Sequence, residues 1–213
     1  EQGKIASSEG LAAHSVYAAK DDVATAVCTQ RIQRELRRDL PRGLAVASHG
    51  AALLRFDEER MQHMRALLTG AEGSPYANGV FFFDIFCPAD YPNTHPLVTH
   101  TTPGAHTVRG EHTPGGFSPN LHAGDGKVCL SLLGTWEGLG WSPGKSNIYQ
   151  VLSEIQLQIL GAREPYYLEP GHGGWEGTAP PPGDPRCFAD RKVVWYRELV
   201  EHATMETAVL RPL

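Results

Sequence analysis

The chain has 213 residues, 41% of them hydrophobic and 20% charged, with a formal net charge of -5. That composition supports a packed core in one domain with appendages, and the mild acidity excludes a general electrostatic pull toward nucleic acid or anionic membranes. No apolar run approaches the roughly 20 residues of a membrane span, and four widely spaced cysteines (Cys28, Cys87, Cys129 and Cys187), with no CxxC pair, are read as reduced thiols of a cytoplasmic or nuclear protein.

Residues 1–22 mix Ala, Ser, Gly and charge without a clear period, which predicts a flexible leader. A helical pattern runs from about Ala24 to Leu40, with Val23, Val27, Ile32 and Leu36 near one stripe. Pro41 is expected to stop it. Three strand-like pieces follow: "LAVAS" from Leu44, "MQHMRALLTG" from Met61 and the aromatic "GVFFFDIFCP" from Gly79. "RFDEER" (Arg55–Arg60) reads as a charged connection and "GAEGSPYANG" (Gly70–Gly79) as a hairpin loop. "PLVTHTT" (Pro96–Thr102) is a fourth strand at the sheet edge, so the strands form an antiparallel meander.

The middle of the chain is irregular. Prolines break Pro88–Gly104, and long polar loops flank "FSPNLHAGDGKVCLSLL" (Phe117–Leu133). A compact domain seldom holds this much irregular chain without a use for it. Ser142 and Pro143 resemble an N-cap and first helical residue, and a helix is expected from about Ser146 to Leu160, ended by Gly161. The boundaries read as a leader over 1–22, a core domain over 23–169, a Gly/Pro-rich linker over 170–186 and a helical extension over 187–213. In that last piece a helix from about Phe188 to Met205 turns Val193, Val194, Tyr196, Leu199 and Val200 partly inward. Segregated strands and helices make this an α+β domain.

Cys129 lies where a Gly-rich loop gives way to an apolar run. Cysteine reacts as thiolate, and a loop rich in free backbone N–H groups helps to hold that charge. His122 is near in sequence, but no base held in contact with the thiol and oriented by a third group can be picked out, as a hydrolase requires. Asn120 offers a side-chain amide that could stabilise an oxyanion in acyl transfer. A cysteine with an amide donor fits a thioester carrier better than a peptidase. Loading by exchange from another thioester needs no strong base, whereas discharge onto lysine needs the amine deprotonated. A buried structural thiol is the plainer reading of Cys129, and it is the one expected for Cys28 and Cys87. The ten histidines show no tight metal-ligand spacing.

"RIQREL", "GSPYANGVFFFDIFCPADYP", "SPN" followed by "GKVCLSLL", and "GWSPGKSNIYQVL" occur in this order. Together they resemble the ubiquitin-conjugating enzymes over roughly Val23 to Glu169. The insertion between Thr135 and Trp141, the "EPYY" motif and the C-terminal extension resemble an oversized branch, which combines conjugating enzyme and ligase and includes a giant inhibitor-of-apoptosis protein. The resemblance implies an N-terminal helix, a four-stranded antiparallel meander, an active-site loop and a central helix. It implies Cys129 as the thioester cysteine and Asn120 as the amide that supports the oxyanion or props the loop. Glu169, with Glu164 as the competing choice, matches the acid that orients or deprotonates the incoming lysine. Tyr91, Pro92 and Pro96 match one partner-facing loop, and Trp141, Ser142 and Pro143 the other. The first helix, with its "RIQRELRR" run, is either a solvated face or a contact for the activating enzyme.

The pattern departs from the family at Ser118, where a His is usual, at Asn93, where many members have Phe, at Ser131, where many have Asp, and by one extra residue between Asn120 and Cys129. The implied function is a ubiquitin-conjugating enzyme that needs no metal or organic cofactor. Its implied partners are ubiquitin, an activating enzyme, a substrate protein and, optionally, a ligase. The alternatives are a non-catalytic ubiquitin- or partner-binding module on the same fold and a cysteine hydrolase of unrelated fold.

Overall fold

A computed structural model describes residues 3–20, 22–45, 50–104, 117–168 and 191–209. Five strands form one sheet in sequence order: β1 (Gly3–Ser8), β2 (Ala52–Asp57), β3 (His63–Thr69), β4 (Val80–Phe86) and β5 (Leu97–His100). β2 to β5 make the expected four-stranded antiparallel meander, and β1 adds a fifth strand parallel to β2. Its alternation decides its faces. Leu54, Met64, Ala66, Leu68, Phe81, Phe83, Ile85 and Val98 are buried on one side, in register across the strands.

Helices pack on that side. α1 (Ala26–Arg34) continues through a π-type turn (Glu35–Asp39) into α2 (Leu40–Ala45). Thr25 caps α1, its hydroxyl accepting the Cys28 N–H. α3 (Ile148–Glu154) is likewise followed by a π-type turn (Ile155–Ile159), and α4 (Arg191–Ala203) by another (Thr204–Val209). The α3 cap is Asn147, which with Gln150 forms a reciprocal capping box. Ser142 and Pro143 lie upstream of it and do not start the helix.

Several expectations are corrected. The leader is not free chain: besides β1 it makes a short 3₁₀ turn (Leu11–His14) with Leu11 and Ala12 buried. Residues 11–17 strap the second face of the sheet. Buried Asp57 accepts the Ala12 N–H at 2.8 Å, buried Asp84 accepts the Val16 N–H at 2.8 Å, and the Tyr17 hydroxyl meets Thr99 Oγ1 at 2.6 Å. The leader's lack of period concealed this, because the carboxylates that anchor it lie far away in sequence. The first meander strand is Ala52–Asp57 and takes in part of "RFDEER"; Leu44 and Ala45 instead end α2, and residues 46–49 lie outside the described ones. Pro41 does not stop the helix. It lacks an N–H and crowds the carbonyl one turn back, and the wider turn at Glu35–Asp39 ends two residues before it. The inward stripe is Cys28, Ile32, Leu36, Leu40 and Leu44, whereas Val23 and Val27 are exposed. In α4, Val193, Tyr196, Val200 and Ala203 are buried and Val194 is exposed. The linker 170–186 and Cys187 lie outside the described residues.

Candidate active site

The irregular middle of the chain folds into a braced loop. Ser118 and Leu121 form an isolated bridge, as do Leu121 and Val128, and Lys127 bridges to Thr99 of the edge strand β5. Between them the chain turns tightly: the Gly126 N–H donates to the His122 carbonyl at 2.9 Å. Gly126 has φ +71°, and a Cβ there would stand 2.4 Å from the His100 carbonyl oxygen, so the turn requires glycine. His122 Nδ1 engages Asp125 at 2.7 Å on the loop surface. The Lys127 N–H and His122 hold the Asp125 carboxyl below the usual carboxylate range.

Cys129 follows this turn and is partly exposed. Its N–H donates to the Asn120 carbonyl at 2.8 Å, and its own carbonyl accepts the Asn120 side-chain amide at 2.9 Å. Asn120 is buried and receives a bond from no described group at Oδ1. Of the two sequence readings of Asn120, this geometry is that of the prop: the amide nitrogen is engaged by the loop backbone. Ser118, in place of the family's His, is fully buried and its hydroxyl accepts the Asn120 N–H at 3.2 Å. The loop's entrance is fixed by Tyr76, whose buried hydroxyl donates to the Phe117 carbonyl at 2.7 Å. The other described thiols differ from Cys129. Burial, with Asp90 adding to it, pushes Cys28 up to about 11, and burial pushes Cys87 well up.

The two loops that the resemblance assigns to partners touch each other. The Trp141 indole N–H donates to the Pro92 carbonyl at 2.6 Å, and the Trp141 and Tyr91 rings lie 5.7 Å apart. Tyr91 and Pro96 are buried, which removes them from direct contact with a partner; Pro92 and Trp141 are partly exposed, and Ser142 and Pro143 exposed. Tyr91 is instead part of a buried polar hub. Its hydroxyl donates at 2.6 Å to the carboxylate of Glu35, which also pairs with Arg31 and accepts the Ile148 N–H at 2.9 Å. Burial, reinforced by Cys87 and Glu35, pushes the Tyr91 hydroxyl far above its ordinary value, so it stays a donor. Arg31 reaches on to the carbonyl of Ser146 at 2.7 Å and of Pro143 at 3.3 Å. Two charged members of the "RIQRELRR" run, Arg31 and Glu35, therefore face inward beside Ile32 and Leu36, while Arg34, Arg37 and Arg38 remain exposed.

Glu169 lies outside the described residues. Glu164 does not: it pairs with Arg197 of α4 at 3.3 Å, and burial raises its carboxyl while Arg197 opposes the rise. Among the described residues no group of three or more His, Cys, Asp or Glu could hold a metal ion, and no helix is long and apolar enough to cross a membrane. Sequence reasoning missed Glu35 and Tyr76 as parts of the site. Only Glu35 carried a signal, a charge in register with the apolar stripe as Leu36 is.

Comparison with known proteins gives the family and the fold. The family model for the ubiquitin-conjugating enzyme matches residues 31–170. The dual E2 ubiquitin-conjugating enzyme/E3 ubiquitin-protein ligase BIRC6 of Homo sapiens is 43% identical over 161 residues, which is 74% of this chain and 3% of that protein. A probable ubiquitin-conjugating enzyme of Caenorhabditis elegans is 38% identical over 188 residues, 87% of this chain and 23% of its own length. The chain thus spans a small part of the relatives it matches. The solved E2 domain of a ubiquitin conjugating enzyme of Toxoplasma gondii superposes with a TM-score of 0.55 at 21% identity, over 84% of this chain and 99% of that one, and shares the fold. With this family match and these identities, the chain belongs to the ubiquitin-conjugating enzyme family.

Proposed function

We propose that this chain is a catalytically active ubiquitin-conjugating domain with Cys129 as its thioester nucleophile. The observation that carries the proposal is the setting of Cys129: it is a partly exposed thiol on a loop braced through its own backbone by Asn120, whereas Cys28 and Cys87 are buried. In loading, the Cys129 thiolate attacks the carbonyl of ubiquitin held as a thioester on the activating enzyme, whose thiolate leaves. In discharge, a substrate lysine amine adds to the Cys129 thioester carbonyl, the C–S bond breaks and Cys129 leaves as thiolate. The amine proton passes to a base, for which Glu169 is the candidate. The side-chain amide of Asn120 supports the loop during both steps.

Pro92, Ser142 and Pro143, with the exposed arginines of α1 and the turn after it, form the surface for the activating enzyme or a ligase, and Tyr91, Pro96 and Trp141 support it from beneath. Transfer without a separate ligase is part of the proposal, by analogy with the dual E2/E3 relative. The compartment is the cytoplasm or nucleus.

A charging assay tests this. The chain is mixed with ubiquitin, activating enzyme and ATP, and run with and without reducing agent beside Cys129→Ala. A reducible adduct absent from Cys129→Ala is expected. No adduct under conditions that charge a control conjugating enzyme would leave a different ubiquitin-like modifier or a non-catalytic binding module, and repeating the assay with other ubiquitin-like proteins decides between them.

A further inference from the structure

Two peptide groups flank Cys129, and together they carry four polar atoms: the Val128 carbonyl, the Cys129 N–H, the Cys129 carbonyl and the Leu130 N–H. Asn120 holds the two that belong to Cys129. The other two are held by one hydroxyl. Thr135 Oγ1 accepts the Leu130 N–H at 2.9 Å and donates to the Val128 carbonyl at 2.7 Å. A hydroxyl has one proton to give, and the Leu130 carbonyl, at 3.2 Å, is the more distant acceptor. The peptide planes on both sides of the thiol are thus pinned by two residues, Thr135 through its hydroxyl and Asn120 through its side-chain amide and its backbone carbonyl. Asn120 comes from before the glycine turn, and Thr135 from the start of the insertion.

The insertion is itself pressed against this loop. Gly138 adopts φ +143°, and a Cβ there would lie 2.7 Å from Cβ of Ser131, two residues beyond the thiol. The Thr135 N–H also reaches the Leu130 carbonyl at 3.3 Å, and the Gly134 N–H bonds the Ser131 carbonyl at 2.9 Å. The segment that begins at Thr135 therefore folds back onto the nucleophile loop.

We infer that Thr135 is a positioning residue for Cys129, the counterpart of Asn120 in a two-sided clamp that sets the direction of the thiol. The inference rests on the reading of Cys129 as the nucleophile. It assigns the Thr135 hydroxyl a part in the rate of acyl transfer through the geometry of the attacked thioester, without contact with the modifier or the amine. Misplacement of a reacting group by about 1 Å can cost on the order of 100-fold in rate.

The test compares Thr135→Val, which keeps the shape and removes the hydroxyl, with Thr135→Ser, which keeps the hydroxyl. The chain is charged with ubiquitin, and single-turnover discharge to free lysine is followed over a range of lysine concentrations. Thr135→Val is expected to lower the maximal discharge rate roughly 10- to 100-fold with the lysine concentration for half-maximal rate unchanged. Thr135→Ser should recover most of the rate. In parallel, iodoacetamide alkylation of Cys129 is timed by mass spectrometry on the uncharged chain. Here the valine variant should differ from wild type at least three-fold and the serine variant should not. Wild-type discharge and alkylation in Thr135→Val would overturn the clamp, and so would equal losses in both variants, which would assign the effect to packing. If wild type itself fails to charge, the thioester reading fails, and the alkylation comparison still decides the clamp.

Discussion

The carboxylate of Glu35, in the turn after the first helix, accepts the N–H of Ile148, the first residue of α3, across 113 positions of sequence. The same carboxylate takes the Tyr91 hydroxyl and the Arg31 guanidinium. One buried charge therefore joins the first helix, the Tyr91–Pro92 loop and the start of the third helix. Arg31 extends the junction to Pro143 and Ser146.

Removing one member of a buried ion pair strands the other. Glu35→Ala is expected to cost about 3–5 kcal/mol in stability, because Arg31 is left without its carboxylate and the Ile148 N–H without its acceptor. Tyr91→Phe removes a single bond to a charged group and should cost about 1.5–3 kcal/mol. Urea denaturation of both variants provides the measurement. A Glu35→Ala loss no larger than that of Tyr91→Phe would show that the carboxylate is not the hub.

A second prediction concerns pH. His63 is buried against Phe86, with ring centroids 4.9 Å apart, and neither ring nitrogen has a hydrogen-bond partner among the described residues. Burial holds its imidazole below the ordinary value, and Arg60 adds to this; the nearby Lys20 carbonyl and the carboxylates of Asp57 and Asp84 oppose it. The unfolded chain therefore binds a proton that the folded chain resists. The stability contributed by neutral His63 is complete above the unfolded value of about 6.5 and is lost as pH falls below it, by at most about 1.4 kcal/mol per pH unit. His63→Leu should flatten the stability profile between neutral pH and the onset of carboxylate protonation. Denaturation midpoints across that range would show it, and an equally steep profile in the variant would refute the assignment.

The sequence revealed what short-range pattern can reveal. The aromatic and β-branched content of Val80–Phe86 marked β4, and the spacing of Ile148, Val151, Leu152 and Ile155 marked the helix beneath the sheet. The thiol and its Asn120 support were legible because motif order placed them in one loop. What stayed hidden depends on partners distant in sequence. The leader is ordered by Asp57 and Asp84, 45 and 68 residues away from the groups they bind. Asparagine at 120 suggested an oxyanion donor, and only coordinates show its amide engaged by the Cys129 carbonyl. Thr135 lies in a stretch without periodicity, so nothing local distinguished its hydroxyl from that of any loop threonine.

The C-terminal helix offers a third prediction. Gly79 leaves room for Thr204, just past α4: a Cβ at 79 would stand 2.7 Å from Thr204 Cγ2 and 2.8 Å from the Phe81 ring. Gly79→Ala must push the end of the helix or the ring, and overpacking of this kind costs about 1–3 kcal/mol. Arg197→Ala, which loses partly exposed pairs with Glu164 and Glu201, should cost about 1 kcal/mol or less. Thermal unfolding with limited proteolysis of 191–209 is the check. Protection of that segment in Gly79→Ala equal to wild type would mean that the contact is not what docks the helix.

The fourth prediction separates the two roles open to Asn120. If its amide served only the oxyanion, Asn120→Ala would charge normally and fail in lysine discharge, by the roughly 10²–10³-fold typical of losing such a donor. The geometry gives a different expectation. The amide is bonded to the Cys129 carbonyl in the uncharged chain, so its removal loosens the loop before any acyl group arrives. Asn120→Ala should therefore slow alkylation, loading and discharge of Cys129 together. Asn120→Asp, which sets a carboxylate oxygen against that carbonyl, should be at least as impaired in all three. Iodoacetamide alkylation, thioester formation and single-turnover discharge, measured on the same preparations, provide the comparison. Normal alkylation and loading beside a lost discharge would return Asn120 to the oxyanion role and leave Thr135 as the side chain that holds the nucleophile in place.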